Sequence, residues 1–308
     1  MNEENITELQ EHIKQNPHDY DAVEQYAIAL SNIGENEEAL KNFVFLKSVM
    51  PDNAKVYYNI GIILEKMKMY EDSVTAYEKA LSLEPDNTDI MFNLANVYIK
   101  TEDFELAEKL LLQVLEKDTD DENVYFHLGE IYSRQKEYEK AVKVLEKALQ
   151  LDESDSIAKF YLAYSYQELG NIDTAVKLYT DITNNNPDYS WAYFNLASIY
   201  INQGKDDNAM LYLDRTVKTN PSDLKAVKLL TKLMYKHKKF SAAEKLLRQV
   251  SSSFPEEADI YYLLAQVHKQ LKNKMNYSKF LKLAKANEIT FSGDTDELDK
   301  EIESLNNK

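Results

Sequence analysis

Four lysines, Lys225, Lys228, Lys232 and Lys236, follow one another at spacings of three, four and four residues. On a helix that spacing sets four ammonium groups on one face. Like charges so placed repel by about 0.2–0.5 kcal/mol per pair, and the only acid on the same stretch is Asp223, at its start. What such a stripe does is pair with carboxylates. Lys269 extends it one unit further along the chain. A second row is aromatic. Tyr58, Phe92, Phe126, Phe160 and Phe194 recur every 34 residues, and Tyr262 lies two such steps beyond Phe194. Tyr164 and Trp191 stand close to that row in sequence. Asn59, Asn93 and Asn195 each directly follow one of its aromatics, and an amide both donates to and accepts from a peptide backbone. These are residues of recognition, not of bond making. The five histidines, His12, His18, His127, His237 and His268, form no HExxH pair, there is no cysteine to complete a zinc site, and no two glycines lie close enough to cradle a phosphate. No catalytic, cofactor-binding or metal-binding residue is expected.

The elements that must carry these rows follow from a period. The six prolines, Pro17, Pro51, Pro85, Pro187, Pro221 and Pro255, are separated by 34 residues or by three times 34. Between Pro51 and Pro85, two amphipathic helices can be read. Tyr57, Ile60, Gly61 and Leu64 share one helical face, and Ser73, Tyr77, Ala80 and Leu81 share another. Neither can bury its stripe alone, so each pair needs a neighbour like itself. Counting from Tyr20 in steps of 34, position 8 of each unit is Ala27, Gly61, Ala95, Gly129, Ala163, Ala197, Thr231 and Ala265. Position 20 is Ala39, Ser73, Ala107, Ala141, Ala175, Ala209, Ala243 and Tyr277. Small residues there let two helix backbones approach. Large apolar residues recur at positions 7 and 24, from Ile60 to Leu264 and from Tyr77 to Leu281.

A helix–turn–helix unit of 34 residues with this small–large–aromatic register resembles the tetratricopeptide repeat (TPR), over about residues 20–291. The resemblance implies an all-α, right-handed α-solenoid, a superhelix of antiparallel helix pairs. Eight repeats run 20–53, 54–87, 88–121, 122–155, 156–189, 190–223, 224–257 and 258–291. Residues 1–19 read as an N-terminal capping half-repeat, with Ile6, Leu9 and Ile13 on one face. Residues 292–308 read as a C-terminal capping helix, with Asp294 or Thr295 as its cap and Leu298, Ile302 and Leu305 as its stripe. Two departures are local: Lys159 stands where the family usually has an aromatic, and Tyr277 where it has a small residue.

The net charge of −17 is unevenly spread. Residues 1–223 hold 20 basic and 42 acidic side chains, residues 224–291 hold 14 and 5, and residues 292–308 hold 2 and 6. Overall acidity argues against non-specific nucleic-acid binding, with the basic block as the exception. No run approaches the ~18 apolar residues of a membrane span. The N-terminal residues MNEENITELQEHIKQ lack the apolar core of a signal peptide, so a cytoplasmic location is expected.

In TPR proteins the first helices line a concave groove, and positions 2, 5, 9, 12 and 13 commonly face a ligand. By that resemblance, Lys225, Lys228, Lys232, Lys236 and Lys269 join Tyr58, Phe92, Phe126, Phe160, Tyr164, Trp191 and Phe194 there, and Asn59, Asn93 and Asn195 can form an amide ladder. The expected function is a non-enzymatic scaffold that binds an acidic peptide with hydrophobic anchors. Three rivals stay open. The acidic tail fills the basic groove, copies of the chain assemble head to tail, or the basic block holds an anionic polymer such as nucleic acid.

Overall fold

The computed structural model describes residues 3–117 and 120–306, and the backbone alone for residues 3–5 and 306. The ends of the two expected caps (1, 2, 307 and 308) and residues 118 and 119 of the third repeat lie outside these. Among the described residues there are eighteen α-helices and no strand. The first is α1 (Glu3–Gln15). First helices of the repeating pairs are α2 (Tyr20–Asn32), α4 (Ala54–Lys66), α6 (Thr88–Thr101), α8 (Glu122–Arg134), α10 (Ser156–Glu168), α12 (Ser190–Asn202), α14 (Leu224–Lys236) and α16 (Ala258–Gln270). Second helices are α3 (Asn36–Val49), α5 (Tyr70–Leu83), α7 (Phe104–Lys117), α9 (Tyr138–Leu151), α11 (Ile172–Asn185), α13 (Asp206–Thr219), α15 (Phe240–Ser253) and α17 (Lys274–Ala286). The last is α18 (Thr295–Asn306). The fold is an all-α solenoid of helix pairs.

Local chemistry sets where each helix starts. Asp19, Asn53, Asn87, Asp121, Asp155 and Asp223 each precede a first helix and accept a hydrogen bond from its opening backbone N–H groups, which satisfies donors that lack an intrahelical partner. The turn inside each pair passes through a left-handed residue at position 15. Three are glycines, Gly34, Gly170 and Gly204, and the other five are Lys68, Glu102, Lys136, Lys238 and Lys272.

Within a pair, the small residue at position 8 is met by the large one at position 24. A Cβ on Gly61 would stand 2.7 Å from the Tyr77 ring, and one on Gly129 would stand 2.4 Å from Leu145. Ser73 Oγ donates to the Gly61 carbonyl at 2.8 Å. Tyr77 and Leu145 are fully buried, and burying side chains of this size stabilises by roughly 1.5–3 kcal/mol each.

The chain divides into two compact units, residues 1–169 and 170–308. The first holds α1–α10. Ile6 and Ile13 of α1 pack onto a cluster built from Ala27, Leu30, Phe43, Leu46 and Ile63. The second holds α11–α18. Its core runs through Val227, Leu247, Leu264, Phe280 and Leu281 to Leu298 of α18, with Ile302 and Leu305 against it. Asp294 caps α18 by accepting from the Asp296 N–H at 2.9 Å. The acidic tail is thus seated on the last repeat by a buried leucine.

Candidate functional site

The lysine stripe lies on α14, but its four members have different surroundings. Lys228 reaches across to α16, where its Nζ lies 2.5 Å from Asp259 Oδ2 and 3.2 Å from Glu257 Oε1. Its side chain is 27% exposed and that of Asp259 is 7% exposed. Ser292, just before α18, donates both its N–H and its hydroxyl to the same carboxylate, at 2.9 and 2.5 Å. Burial pushes Asp259 up, but the hydrogen bonds from Lys228 and Ser292 outweigh it and hold the carboxyl below its ordinary range. Burial likewise pushes the Lys228 ammonium down, and Asp259 and Glu257 more than reverse it. Lys236 pairs with Asp206, 2.5 Å away at the start of α13, and Asp206 also takes His237 at 2.7 Å. The counter-charges missing from the helix itself therefore come from the repeats on either side.

Two members remain. Lys225 is exposed, with its Nζ 5.1 Å from the centre of the Phe194 ring on α12. Lys232 is exposed and makes no ion pair among the described residues. Also on α12, Trp191 is 63% exposed, and Phe194 is half-buried. In the second unit α12 thus carries an exposed indole and a phenyl ring three residues apart, with Lys225 of α14 over the phenyl ring and Lys232 two turns further along α14. Lys269 belongs elsewhere. It pairs with Glu301 of α18 at 2.6 Å, and Lys285 pairs with Asp299 at 2.9 Å. Two of the acidic tail's carboxylates, Glu301 and Asp299, are thus paired with α16 and α17, and among the described residues none of the tail pairs with Lys225 or Lys232.

Tyr262 of the row lies on α16 and meets Phe291 at 5.2 Å, and the other aromatics belong to the first unit and are partly buried. Tyr58 packs 5.8 Å from Tyr77, and its hydroxyl accepts from Asn93 Nδ2 at 2.7 Å. Phe92 and Phe126 flank His127 at 5.5 and 4.9 Å. Phe126 meets Tyr161 at 6.1 Å, Phe160 meets Tyr161 at 5.9 Å, and Tyr164 meets Tyr138 at 6.0 Å. The amide ladder is altered. Asn59 and Asn195 turn their Nδ2 groups back to the carbonyls of Lys55 and Trp191 on their own helices, at 2.9 and 2.8 Å. Each keeps one N–H and its carbonyl for a partner.

A second cationic row escaped the sequence reading. Lys66, Lys100 and Arg134 occupy position 13 of three successive first helices. Lys66 donates to the Ser31 hydroxyl at 2.8 Å, Lys100 reaches Glu65 at 2.5 Å, and Arg134 reaches Glu102 at 2.7 Å and the Ile99 carbonyl at 3.2 Å. The signal was present, since the three are 34 residues apart, but it appears only when position 13 is read down the frame.

Among the described residues no group of three or more His, Cys, Asp or Glu could hold a metal ion, and no helix is long and apolar enough to cross a membrane.

Three family models match. They are the cytochrome c-type biogenesis protein H TPR domain over residues 48–158, the tetratricopeptide repeat over 132–188 and 170–233, and anaphase-promoting complex (cyclosome) subunit 3 over 202–276. No curated protein matches significantly by sequence. Among solved structures, the chain is similar to YrrB, described as a TPR protein with an unusual peptide-binding site, at 22% identity and a TM-score of 0.50, over 60% of this chain and 95% of that one. It is similar to the APC/C hetero-tetramer Cut9–Hcn1 at 14% identity and 0.61, over 75% of this chain and 46% of that one. It is also similar to PilF of Pseudomonas aeruginosa at 19% identity and 0.56, over 66% and 92%. At such identities what is shared is the fold. The helix pairs and the matched models, which together span residues 48–276, agree: the chain belongs to the tetratricopeptide-repeat proteins.

Proposed function

We propose that this protein is a scaffold that binds an acidic peptide segment of another protein. An apolar side chain of the peptide seats on Trp191 and Phe194, and its carboxylates pair with Lys225 and Lys232. The observation that carries this reading is the exposed Trp191 on α12, with Phe194 under Lys225 of α14, and two α14 lysines, Lys225 and Lys232, that no acid among the described residues neutralises. An indole is a large, rigid anchor with few rotamers to lose, and such groups dominate binding energy when a partner covers them. The ammonium groups add orientation and a faster encounter, and both effects weaken with salt. YrrB is described as a peptide-binding protein of the same fold, which supports the class of ligand and not its sequence.

Trp191 is the only tryptophan, so its emission reports on the site directly. Titration with a peptide carrying two leucines among aspartates should shift that emission. Lys225→Ala with Lys232→Ala should weaken binding by roughly tenfold at low salt, as expected for two exposed charge pairs. A peptide with the aspartates changed to asparagine should behave like that variant. If a single-stranded oligonucleotide gives the same shift with a steep salt slope, the basic block is an anionic-polymer site. If no peptide moves the emission, the reading fails.

A further inference from the structure

We propose that the open cleft lined by α16, α17 and α18 is a binding site for a small organic oxyanion, a carboxylate or a phosphate monoester on a compact apolar body. It is separate from the peptide surface on α12 and α14. Its volume is about 680 Å³, inside the range of roughly 300–1,000 Å³ typical of small-molecule sites.

The sequence explains why space is left here. In seven repeats position 20 is Ala or Ser, and in the eighth it is Tyr277. The ring is buried in the α16–α17 pair and forms part of the cavity wall, with Leu305 of α18 across from it. The residues lining the cleft also include a buried histidine. The His268 side chain is only 3% exposed. Its Nε2 faces α15, 3.3 Å from Glu244 Oε1 and 3.4 Å from Arg248 Nη2, whereas its Nδ1 is buried and has no hydrogen-bond partner among the described residues. Buried ring nitrogens are nearly always satisfied by protein, water or ligand. Burial also holds the imidazole below its ordinary pKa, so at neutral pH it is an uncharged donor or acceptor.

The rim is cationic. Lys272 and Lys274 are exposed and make no ion pair among the described residues. Lys269 lies over the Tyr277 ring at 5.4 Å and is held by Glu301. Two unneutralised ammonium groups beside a wall of Tyr277 and Leu305, with the His268 side chain on the same lining, select for a small molecule with a charged head and an apolar body.

The test uses the full chain and three probes, benzoate, phenyl phosphate and neutral benzamide. Binding is followed by calorimetry and by the ¹⁵N shift of the His268 imidazole. The expected result is that one or both anions bind and move the His268 resonance, while benzamide does not. Lys272→Ala with Lys274→Ala, both at exposed positions, should weaken binding by roughly tenfold. Leu305→Trp, which fills the cavity and keeps the rim charge, should abolish it. The relative strength of the two anions tells a carboxylate site from a phosphate site. If neither anion binds at about 10 mM, or if binding survives Leu305→Trp, the cavity is not a site. Peptide binding at Trp191 should be unchanged in both variants, so this proposal and the preceding one fail separately.

Discussion

Lys228 and Lys232 lie four residues apart on one helix face, yet their replacement should have opposite consequences. Lys228→Met keeps the length of the side chain and removes the charge. It breaks contacts to Asp259 and Glu257 and leaves a carboxylate that is 7% exposed with only the two Ser292 hydrogen bonds. A hydrogen bond to a charged group contributes about 1.5–3 kcal/mol, and removing one partner of a fully buried pair costs about 3–5 kcal/mol. Because Lys228 is one-quarter exposed and Ser292 remains, the expected loss is about 2–3 kcal/mol, centred on α14–α18. Asp259→Asn added to Lys228→Met should recover part of it, since no charge is then left uncompensated. Lys232→Met should change stability by less than about 0.5 kcal/mol and should weaken peptide binding. Urea unfolding together with hydrogen exchange of α14–α18 reads the first effect, and Trp191 emission reads the second. Equal stability of the two variants would refute the division of the stripe. So would a folded Lys228→Met protein that loses peptide binding as much as Lys232→Met.

Gly129→Ala should be destabilising despite the better helix propensity of alanine. Its Cβ would lie 2.4 Å from Leu145, and overpacking costs about 1–3 kcal/mol against a propensity gain of about 1 kcal/mol. The same change in a Leu145→Ala background should become stabilising, and thermal unfolding of the four proteins checks both signs. Acidification should weaken the second unit in two stages. His268 is held below its ordinary value of 6.5 by burial, so the unfolded chain takes up its proton first, and that part of the stability is present above about pH 6.5 and falls below it. Asp259 is held below its ordinary value of 3.8, so its part persists above about pH 4 and is lost as pH drops through the lower folded value. Urea midpoints at pH 7, 5.5 and 3.5 should fall in two steps, and His268→Phe should remove the first.

Much of the architecture could be read from residue order, because a repeat states its rule eight times. Prolines mark the ends of second helices, small residues at positions 8 and 20 mark close approach, and Asp or Asn before most first helices marks their starts. The site was harder for a physical reason. A helix rule relates charges along α14 at separations of three and four residues, whereas the partners that matter are Asp259 and Asp206, 31 and 30 residues away. Contacts between neighbouring repeats fall a few positions off the period, so they are invisible both to a local helix rule and to a strict 34-residue alignment. Tyr277 shows the converse. It stood out as an irregularity in the frame, but only the packed structure shows a cavity beside it.

Four of the bonds between repeats share one offset. Lys66 to Ser31, Asn93 to Tyr58, Lys100 to Glu65 and Gln270 to Tyr235 are all 35 residues apart. Repeats two, three and eight are therefore clasped to the ones before them by the same kind of hook. Under tension such a molecule behaves as a row of links, not as a single knot. Each link that opens releases about 34 residues of chain, or roughly 120 Å of extended length. Because its neighbours are held by their own hooks, an opened link can close again on the template still standing beside it. A partner bound across several repeats would splice those links together and raise the force at which the first one gives way.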